Sequence, residues 1–397
     1  MAKPSRQTLE DLRGLTAIIV NSTLGTSKLV ESMHNTIERV HPPIGESKAT
    51  STSGISSLVY KTIRSTSKTV GTSFDLAMQA VAPFLGDSTQ SSPTHDVFLS
   101  VINGVYGDKL VEQNNALAID MRFIFDRQPL QFNKAESPLK LQGQSSGSNK
   151  IMLFIHGLCM SHYGWEANDT NQSEQLAKAL GFTPIYLHYN TGKSIASNGE
   201  MLAQQLDMLI EEWPTSITDL TLVGHSMGGL VARSAHFYGT QHHKKWLTKT
   251  TSIISIGTPH TGAMLEKGGA VIDSLLTLSP YAAPFTRLTG IRSQGIEDLR
   301  HGKISASQDA FTPIPDNIRF YALAGVLNKT PNKVSEQTIG DGLVTLNSAF
   351  GISKQASKTL AIPEHHKWLK YNLSHNAMLS DPDVFNAIAN WLKPYAS

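Results

Sequence analysis

The sequence predicts an α/β fold, with a mostly parallel central sheet and helices on both faces. Apolar runs of strand length recur along the chain, and helical patterns lie between several of them. The runs are apolar at nearly every position, as expected of strands that are buried on both faces. One run is followed by Gly-x-Ser-x-Gly and then by a helical pattern. The main runs lie at residues 151–155, 184–188, 220–223, 253–256 and 318–324.

Further elements complete this prediction. Short strands are expected at 121–125 and 139–141, before the first buried run. A helix is expected at 198–213, because apolar residues recur there at helical spacing. A last helix is expected at 382–392. In a parallel sheet of this kind, active groups lie at the carboxyl ends of the strands.

Composition limits the class of protein. The chain has 397 residues with a net charge of +2, so we expect two or three domains and no nucleic-acid partner. The single cysteine, Cys159, excludes an internal disulfide and fits a reducing compartment. No apolar run approaches the roughly 18 residues of a membrane span, and the N-terminus lacks a convincing signal sequence. A cytoplasmic protein is therefore expected.

Residues 1–114 differ from the rest and are predicted to form an N-terminal helical region. Residues 14–20 can be aligned with residues 54–60, which indicates a duplicated helical unit. A third helix is expected at 97–113. The main interpretation is a small bundle packed on the rest of the chain, or a module that forms a homodimer. The alternative is a set of helices that holds the protein on a lipid or polymer surface.

Residues 115–397 are predicted to form the catalytic domain, and its organising motif is Gly-x-Ser-x-Gly at 224–228. A strand before the motif and a helix after it are the context of a nucleophile elbow. Glycine is needed at positions 224 and 228 because the turn is tight. We therefore predict that Ser226 is the nucleophile.

A serine nucleophile needs a base, and the base needs an orienting acid. The chain offers Asp341, in a loop after the run at 318–324, and then His375, just before the last helix. The order Ser, Asp, His is the order expected for this architecture. Asp316 and Asp381 are weaker candidates for the acid.

The negative oxygen of the intermediate needs two preorganised donors. The N–H of Met227, at a helix N-terminus, is predicted to be one donor, and the N–H of Leu158 the other. Substrate-binding positions around this site are predicted from their places beside the motifs. His156 would shape the loop that carries Leu158, His225 would pack inside the elbow, and His260 would line the rim of the cleft. These positions are His156, Gly157, His225 and His260.

Taken together, these motifs resemble those of the α/β-hydrolase superfamily, most closely bacterial lipases and the lipase-like branch that includes the inositol-deacylase group. The resemblance covers about residues 120–397 and rests on five pieces. These pieces lie at 154–158, 224–229, 256–260, 340–344 and 374–375. It implies hydrolysis of carboxylic esters, no cofactor, and a mobile lid in the slot at 261–316. The leader at 1–114 departs from the usual secreted lipases. No carboxylate pair is clear enough to predict a calcium or other metal site.

The predicted function is therefore that of a serine esterase or lipase, with an ester or lipid as its substrate. Two other functions stay open. The same site could serve acyl transfer or thioester cleavage, or the fold could be catalytically inert in a protein whose leader binds a surface.

Overall fold

The computed structural model describes residues 93–132, 148–166, 171–263, 293–307 and 311–393. The duplicated unit of the leader, the strand predicted at 139–141 and the apolar stretch at 270–285 of the predicted lid lie outside the described residues. In the described part of the chain, no helix is both long and apolar enough to cross a membrane.

The described residues form a sheet of eight strands in the order β2-β1-β4-β3-β5-β6-β7-β8. β1 pairs antiparallel with β2 and with β4, and every other pairing is parallel. The predicted fold class, a mostly parallel sheet with helices, is therefore confirmed. The strands are β1 Arg122–Phe125, β2 Gln128–Pro129, β3 Lys150–Ile155, β4 Thr183–His188, β5 Asp219–His225, β6 Thr250–Ile256, β7 Arg319–Val326 and β8 Lys367–Tyr371.

Eight α-helices lie among the described residues. They are α1 Pro93–Glu112, α2 Gln172–Ala179, α3 Ile195–Glu212, α4 Met227–Gln241, α5 Gln294–His301, α6 Lys333–Thr338, α7 Leu346–Ala349 and α8 Pro382–Leu392. α3 and α8 match the helices predicted at 198–213 and 382–392. Asp381 caps the start of α8 by accepting a hydrogen bond from the N–H of Asp383 at 2.9 Å.

Helices cover both faces of the sheet because successive strand residues point to opposite sides. In β3, Leu153 belongs to one apolar cluster and its neighbour Phe154 to the other, and both are fully buried. The first cluster includes residues of α1, α3 and α4, and the second includes residues of α2 and α8. The continuous apolar runs thus reflect two cores that share one sheet.

α1 packs into the first of these cores, although it precedes residue 114. Val101 and Val105 are buried in the same cluster as the strands. Gly104 approaches the loop after β3 so closely that a Cβ atom there would lie 2.3 Å from the Sγ of Cys159. The helix expected at 97–113 is therefore present, and it forms part of the first apolar core. The domain boundary at residue 114 stays a prediction.

Candidate active site

Ser226 lies at the turn between β5 and α4. Its backbone has φ 54° and ψ −121°, a sparsely populated conformation for a residue with a side chain. A Cβ atom at position 224 would lie 2.4 Å from the backbone carbon of Gly228. A Cβ atom at position 228 would lie 2.1 Å from the carbonyl oxygen of Ile155. The two glycines are thus required by close backbone approach, and the strained turn holds Ser226 just before the helix begins.

The predicted acid and base form a buried pair. The Nδ1–H of His375 donates to Oδ2 of Asp341 at 2.7 Å, and the two residues are each 2% exposed. A second bond joins their backbones, since the N–H of His375 donates to the carbonyl oxygen of Asp341 at 3.0 Å. The pair therefore fixes both the tautomer and the direction of the imidazole, with Nε2 turned away from Asp341.

Backbone amides hold the carboxylate of Asp341 in turn. Its Oδ1 accepts hydrogen bonds from the N–H groups of Leu343 at 3.0 Å and Val344 at 2.8 Å. Gly340 and Gly342, on either side, have positive φ angles of 55° and 100°, which glycine adopts without strain. This tight turn leaves Oδ2 for His375. Neither Asp316 nor Asp381 hydrogen-bonds to His375, and Asp381 pairs instead with Lys370 at 2.7 Å.

The end of β6 contacts both Ser226 and this pair, which form no hydrogen bond with each other. The N–H of Ser226 donates to the carbonyl oxygen of Ile256 at 2.8 Å. The next residue, Gly257, lies against the pair, because a Cβ atom there would be 3.1 Å from Nδ1 of His375 and 3.2 Å from Oδ2 of Asp341. Nε2 of His375 is buried and has no hydrogen-bond partner among the described residues. Catalytic hydrogen bonds of a free enzyme are often long and tighten when substrate binds.

The loop after β3 brings its backbone against the serine. A Cβ atom at position 157 would lie 3.0 Å from Cβ of Ser226. Nδ1–H of His156 donates to the carbonyl oxygen of Gly157 at 3.0 Å. Because a trans peptide is planar, its N–H points opposite to its carbonyl. His156 therefore fixes the direction of the N–H of Leu158.

Two amides are free at this point. In the described part of the chain, neither the N–H of Leu158 nor that of Met227 donates to another residue. Met227 is the first residue of α4, where N–H groups lack partners within the helix and favour negative charge. These amides are suited to the role of oxyanion donors.

The three histidines predicted as substrate-binding positions are engaged by protein groups. His225 is 1% exposed, and its Nε2–H donates to the carbonyl oxygen of His375 at 3.2 Å. His260 uses both ring nitrogens, with Nε2 3.1 Å from Oγ of Ser255 and Nδ1 3.4 Å from Nη1 of Arg233. His260 therefore lies in a buried hydrogen-bond chain and has no ring nitrogen for substrate, which differs from its predicted place at the cleft rim.

Burial keeps these histidines neutral, since an apolar environment disfavours the charged ring. It lowers the pKa of His156 to about 4 and the pKa values of His225 and His260 well below the ordinary value. His156 can thus act as a fixed hydrogen-bond donor at neutral pH. Two further buried histidines, His162 and His188, lie beside it with their Nδ1 atoms 3.4 Å apart. Sequence reasoning did not single out this pair.

Cys159 is no candidate nucleophile. It is 4% exposed, and burial raises the pKa of its thiol to about 12, whereas a nucleophilic cysteine needs a lowered pKa. Its thiol packs against α1. Among the described residues, no group of three or more His, Cys, Asp or Glu side chains could hold a metal ion.

Comparison with known proteins agrees with this architecture. Residues 146–307 match the family model described as the PGAP1-like alpha/beta domain, a span that holds the elbow and the loop after β3. No curated protein matches the sequence significantly.

Solved structures with a similar chain path include hydrolases. The mature lipase BlEst2 of Bacillus licheniformis is 18% identical; the alignment covers 66% of this chain and 97% of the lipase, with a TM-score of 0.43. The esterase Pf2001 of Pyrococcus furiosus is 12% identical, with 63% and 85% covered and a TM-score of 0.39. MGS-MChE2, an alpha/beta hydrolase from a lagoon-sediment metagenome, is 14% identical, with 64% and 94% covered and a TM-score of 0.37.

The sheet order, the glycine-bounded elbow and the family match define the fold. The described residues have an α/β-hydrolase fold, and residues 146–307 match the PGAP1-like alpha/beta domain.

Proposed function

We propose that the protein is a serine hydrolase that cleaves carboxylic esters through an acyl-enzyme. The observation that carries this proposal is the buried bond between Asp341 and His375, 2.7 Å long, beside a serine on a strained elbow. In this arrangement the aspartate orients the histidine and stabilises its charged form, so the histidine can take a proton from a nearby hydroxyl.

Acylation is the first half of the proposed reaction. Oγ of Ser226 attacks the ester carbonyl carbon while its proton passes to Nε2 of His375. The carbonyl oxygen becomes an oxyanion and accepts hydrogen bonds from the amides of Leu158 and Met227. The C–O bond to the alcohol then breaks, and the alcohol leaves with the proton from His375. Asp341 stays ionised and stabilises the imidazolium.

Deacylation repeats these steps with water. His375 takes a proton from water, the hydroxide attacks the acyl carbon, and the bond to Oγ breaks. The carboxylic acid leaves, and Ser226 regains its proton from His375. The short bond to Asp341 supports this role, because it holds one nitrogen of the ring and leaves the other for proton transfer.

The direct test is hydrolysis of p-nitrophenyl esters by the full-length chain. We expect Ser226→Ala to lower kcat/KM by about 10⁴-fold or more and to leave the unfolding midpoint unchanged within experimental scatter. Ser173→Ala is the matched control, since Ser173 is a fully buried serine at the start of α2. Retained activity in Ser226→Ala would contradict the proposal.

Substrate variation refines the same proposal. A series of esters from acetate to palmitate, offered below and above their solubility, distinguishes an esterase from a lipase. Added alcohols and acyl thioesters test whether acyl transfer or thioester cleavage is faster. The roles of residues 1–114 in dimer formation or lipid-surface association stay predictions.

A further inference from the structure

A cavity of about 440 Å³ lies near the C-terminal half of α4, between this helix and the loop before β7. We call it the α4 cavity. Its size is within the range of about 300–1,000 Å³ that is typical of small-molecule sites. Apolar side chains form most of its wall, among them Phe237, Leu247, Ile253, Ile314, Pro315 and Phe320. Ser226 is at the opposite end of the helix, so the cavity is separate from the candidate active site.

Arg233 is the charged side chain of this wall. It is 8% exposed. Its Nη2–H donates to the carbonyl oxygen of Thr312 at 2.7 Å, and Nη1 lies 3.4 Å from Nδ1 of His260. Both partners are neutral, because His260 is held uncharged by burial. Buried charges are usually paired with an opposite charge, so this guanidinium is unusual.

Arg233 has no carboxylate partner among the described residues. Burial lowers its pKa to about 10, and no neighbouring acid raises it. The side chain is still charged at neutral pH. Among the described residues that line the cavity, none is Asp or Glu. The α4 cavity thus has apolar walls and one positive charge, and none of the described residues that line it supplies a counter-ion.

Two further polar groups in the wall lack partners. Nε2 of His236 and Oγ1 of Thr312 are buried and form no hydrogen bond to a described residue. Burial lowers the pKa of His236 to about 4, so its ring is neutral at pH 7. The hydroxyl of Thr240 donates to the carbonyl oxygen of His236 at 2.9 Å, and Nδ1 of His236 lies 3.5 Å from that hydroxyl. Arg233 and Thr312 thus offer donors at one cavity, beside the unpaired ring nitrogen of His236.

We propose that the α4 cavity binds a monocarboxylate with a short apolar chain. The carboxylate accepts hydrogen bonds from the guanidinium of Arg233, which suits planar anions. The chain lies against the apolar wall that includes Ile253 and Ile314. One arginine balances one negative charge, whereas a phosphate dianion would stay partly unpaired in an apolar wall. The class of ligand is also the class of acid that the proposed hydrolysis releases, but binding here does not depend on that function.

The test is titration calorimetry of octanoate into the full-length Ser226→Ala protein and into the wild type. Ser226→Ala lacks the proposed nucleophile, so octanoate binding by this variant is independent of ester hydrolysis. We expect both proteins to bind octanoate with the same Kd. 1-Octanol and octylammonium are the matched ligands, since they keep the chain and lack the carboxylate. We expect them to bind at least tenfold more weakly.

Two variants locate the site. Arg233→Met keeps an unbranched side chain and removes the charge, and we expect it to weaken octanoate binding by about 10- to 100-fold. Ile314→Trp, at a half-buried position of the wall, fills the cavity and should have a similar effect. Arg127→Met is the control, because Arg127 is exposed and paired with Glu166 on another face.

The outcomes are distinct. Unchanged octanoate affinity in both Arg233→Met and Ile314→Trp would place the ligand elsewhere and overturn the proposal. So would equal affinity for 1-octanol, or no octanoate binding at millimolar concentration. If Arg233→Met fails to fold, as judged by circular dichroism, Ile314→Trp and the ligand series decide. Loss of ester hydrolysis in Ser226→Ala with retained octanoate binding would support both proposals separately.

Discussion

The two halves of the candidate active site are built in different ways. The serine half consists of the elbow and the loop after β3, and it is held by backbone packing at Gly157 and Gly228. The acid–base half consists of Asp341 and His375, which come from two loops and are joined by two hydrogen bonds across 34 residues. The serine half needs glycine at these two positions because a side chain there would clash. The acid–base half needs the specific chemistry of the Asp341 and His375 side chains.

This difference separates the expected effects of substitutions. Changes in the acid–base half should remove proton transfer while the fold persists. Changes at the glycines of the serine half should displace the backbone donors and lower the rate without removing the base.

His375→Ala should cause the largest loss. Without the imidazole, no group is placed to take the proton of Ser226, and we expect kcat/KM for p-nitrophenyl butyrate to fall by about 10⁴- to 10⁶-fold. His366→Ala is the control, since His366 is a half-buried histidine beside β8 that contacts Tyr321. A decrease in kcat/KM of less than tenfold in His375→Ala would contradict the assignment of His375 as the base.

Asp341→Asn should cost about 10⁴-fold in kcat. The amide cannot stabilise the imidazolium, and an NH₂ group facing Nδ1 would favour the wrong tautomer of His375. Asp381→Asn is the matched control, because Asp381 is a carboxylate engaged with Lys370 at the surface end of α8. The two variants are compared by their pH–rate profiles, and equal activities would argue that Asp341 has only a structural role.

Gly157→Ala tests the serine half. Its new methyl group would lie 3.0 Å from Cβ of Ser226, so the loop with the Leu158 amide must shift. We expect kcat to fall by about 10- to 10³-fold, the range for losing one oxyanion donor. Gly181→Asn is the control, because position 181 has open space and a left-handed backbone that asparagine tolerates. An unchanged kcat in Gly157→Ala would show that the loop does not serve catalysis.

Acid should destabilise the fold, because buried histidines cluster beside the loop after β3. Burial lowers the pKa of His162 to about 3, whereas the unfolded value is about 6.5. The unfolded chain therefore binds more protons between these values, and stability falls as pH drops below about 6.5. At pH 5 this group accounts for about 2 kcal/mol of the loss.

Urea unfolding at pH 7.5 and pH 5 measures this contribution. His162→Gln removes the titrating group, so the decrease in unfolding free energy between the two pH values should be smaller than in the wild type by about 2 kcal/mol. An identical decrease in both proteins would mean that His162 is not the acid-sensitive group.

Much of the fold could be predicted because its signals are local. The buried strands and the flanking helices carry continuous apolar runs or helical spacing, and β3, β5 and α8 appear where these patterns place them. β8 was missed because its sequence mixes lysines with aromatic residues and is half-buried throughout. α6 was missed because it is a short polar helix whose start is fixed by the side chain of Asn332.

The residues of the candidate site could be predicted from the sequence, but most of the contacts that hold them could not. Ser226, Asp341 and His375 stand in motifs with a known order, whereas the bonds around them depend on distant segments. The chain from Arg233 through His260 to Ser255 illustrates the limit. It joins α4 to two positions around β6, and no local pattern indicates that a histidine after Gly257 would turn into the core.

The most direct measurement is covalent labelling by a fluorophosphonate, with the modified residue located by peptide mass spectrometry. We expect one adduct, on Ser226, in the wild type. We expect no adduct in Ser226→Ala and labelling at least 100-fold slower in Asp341→Asn. An adduct on another residue, or an equal labelling rate in wild type and Asp341→Asn, would contradict the claim that Asp341 and His375 activate this serine.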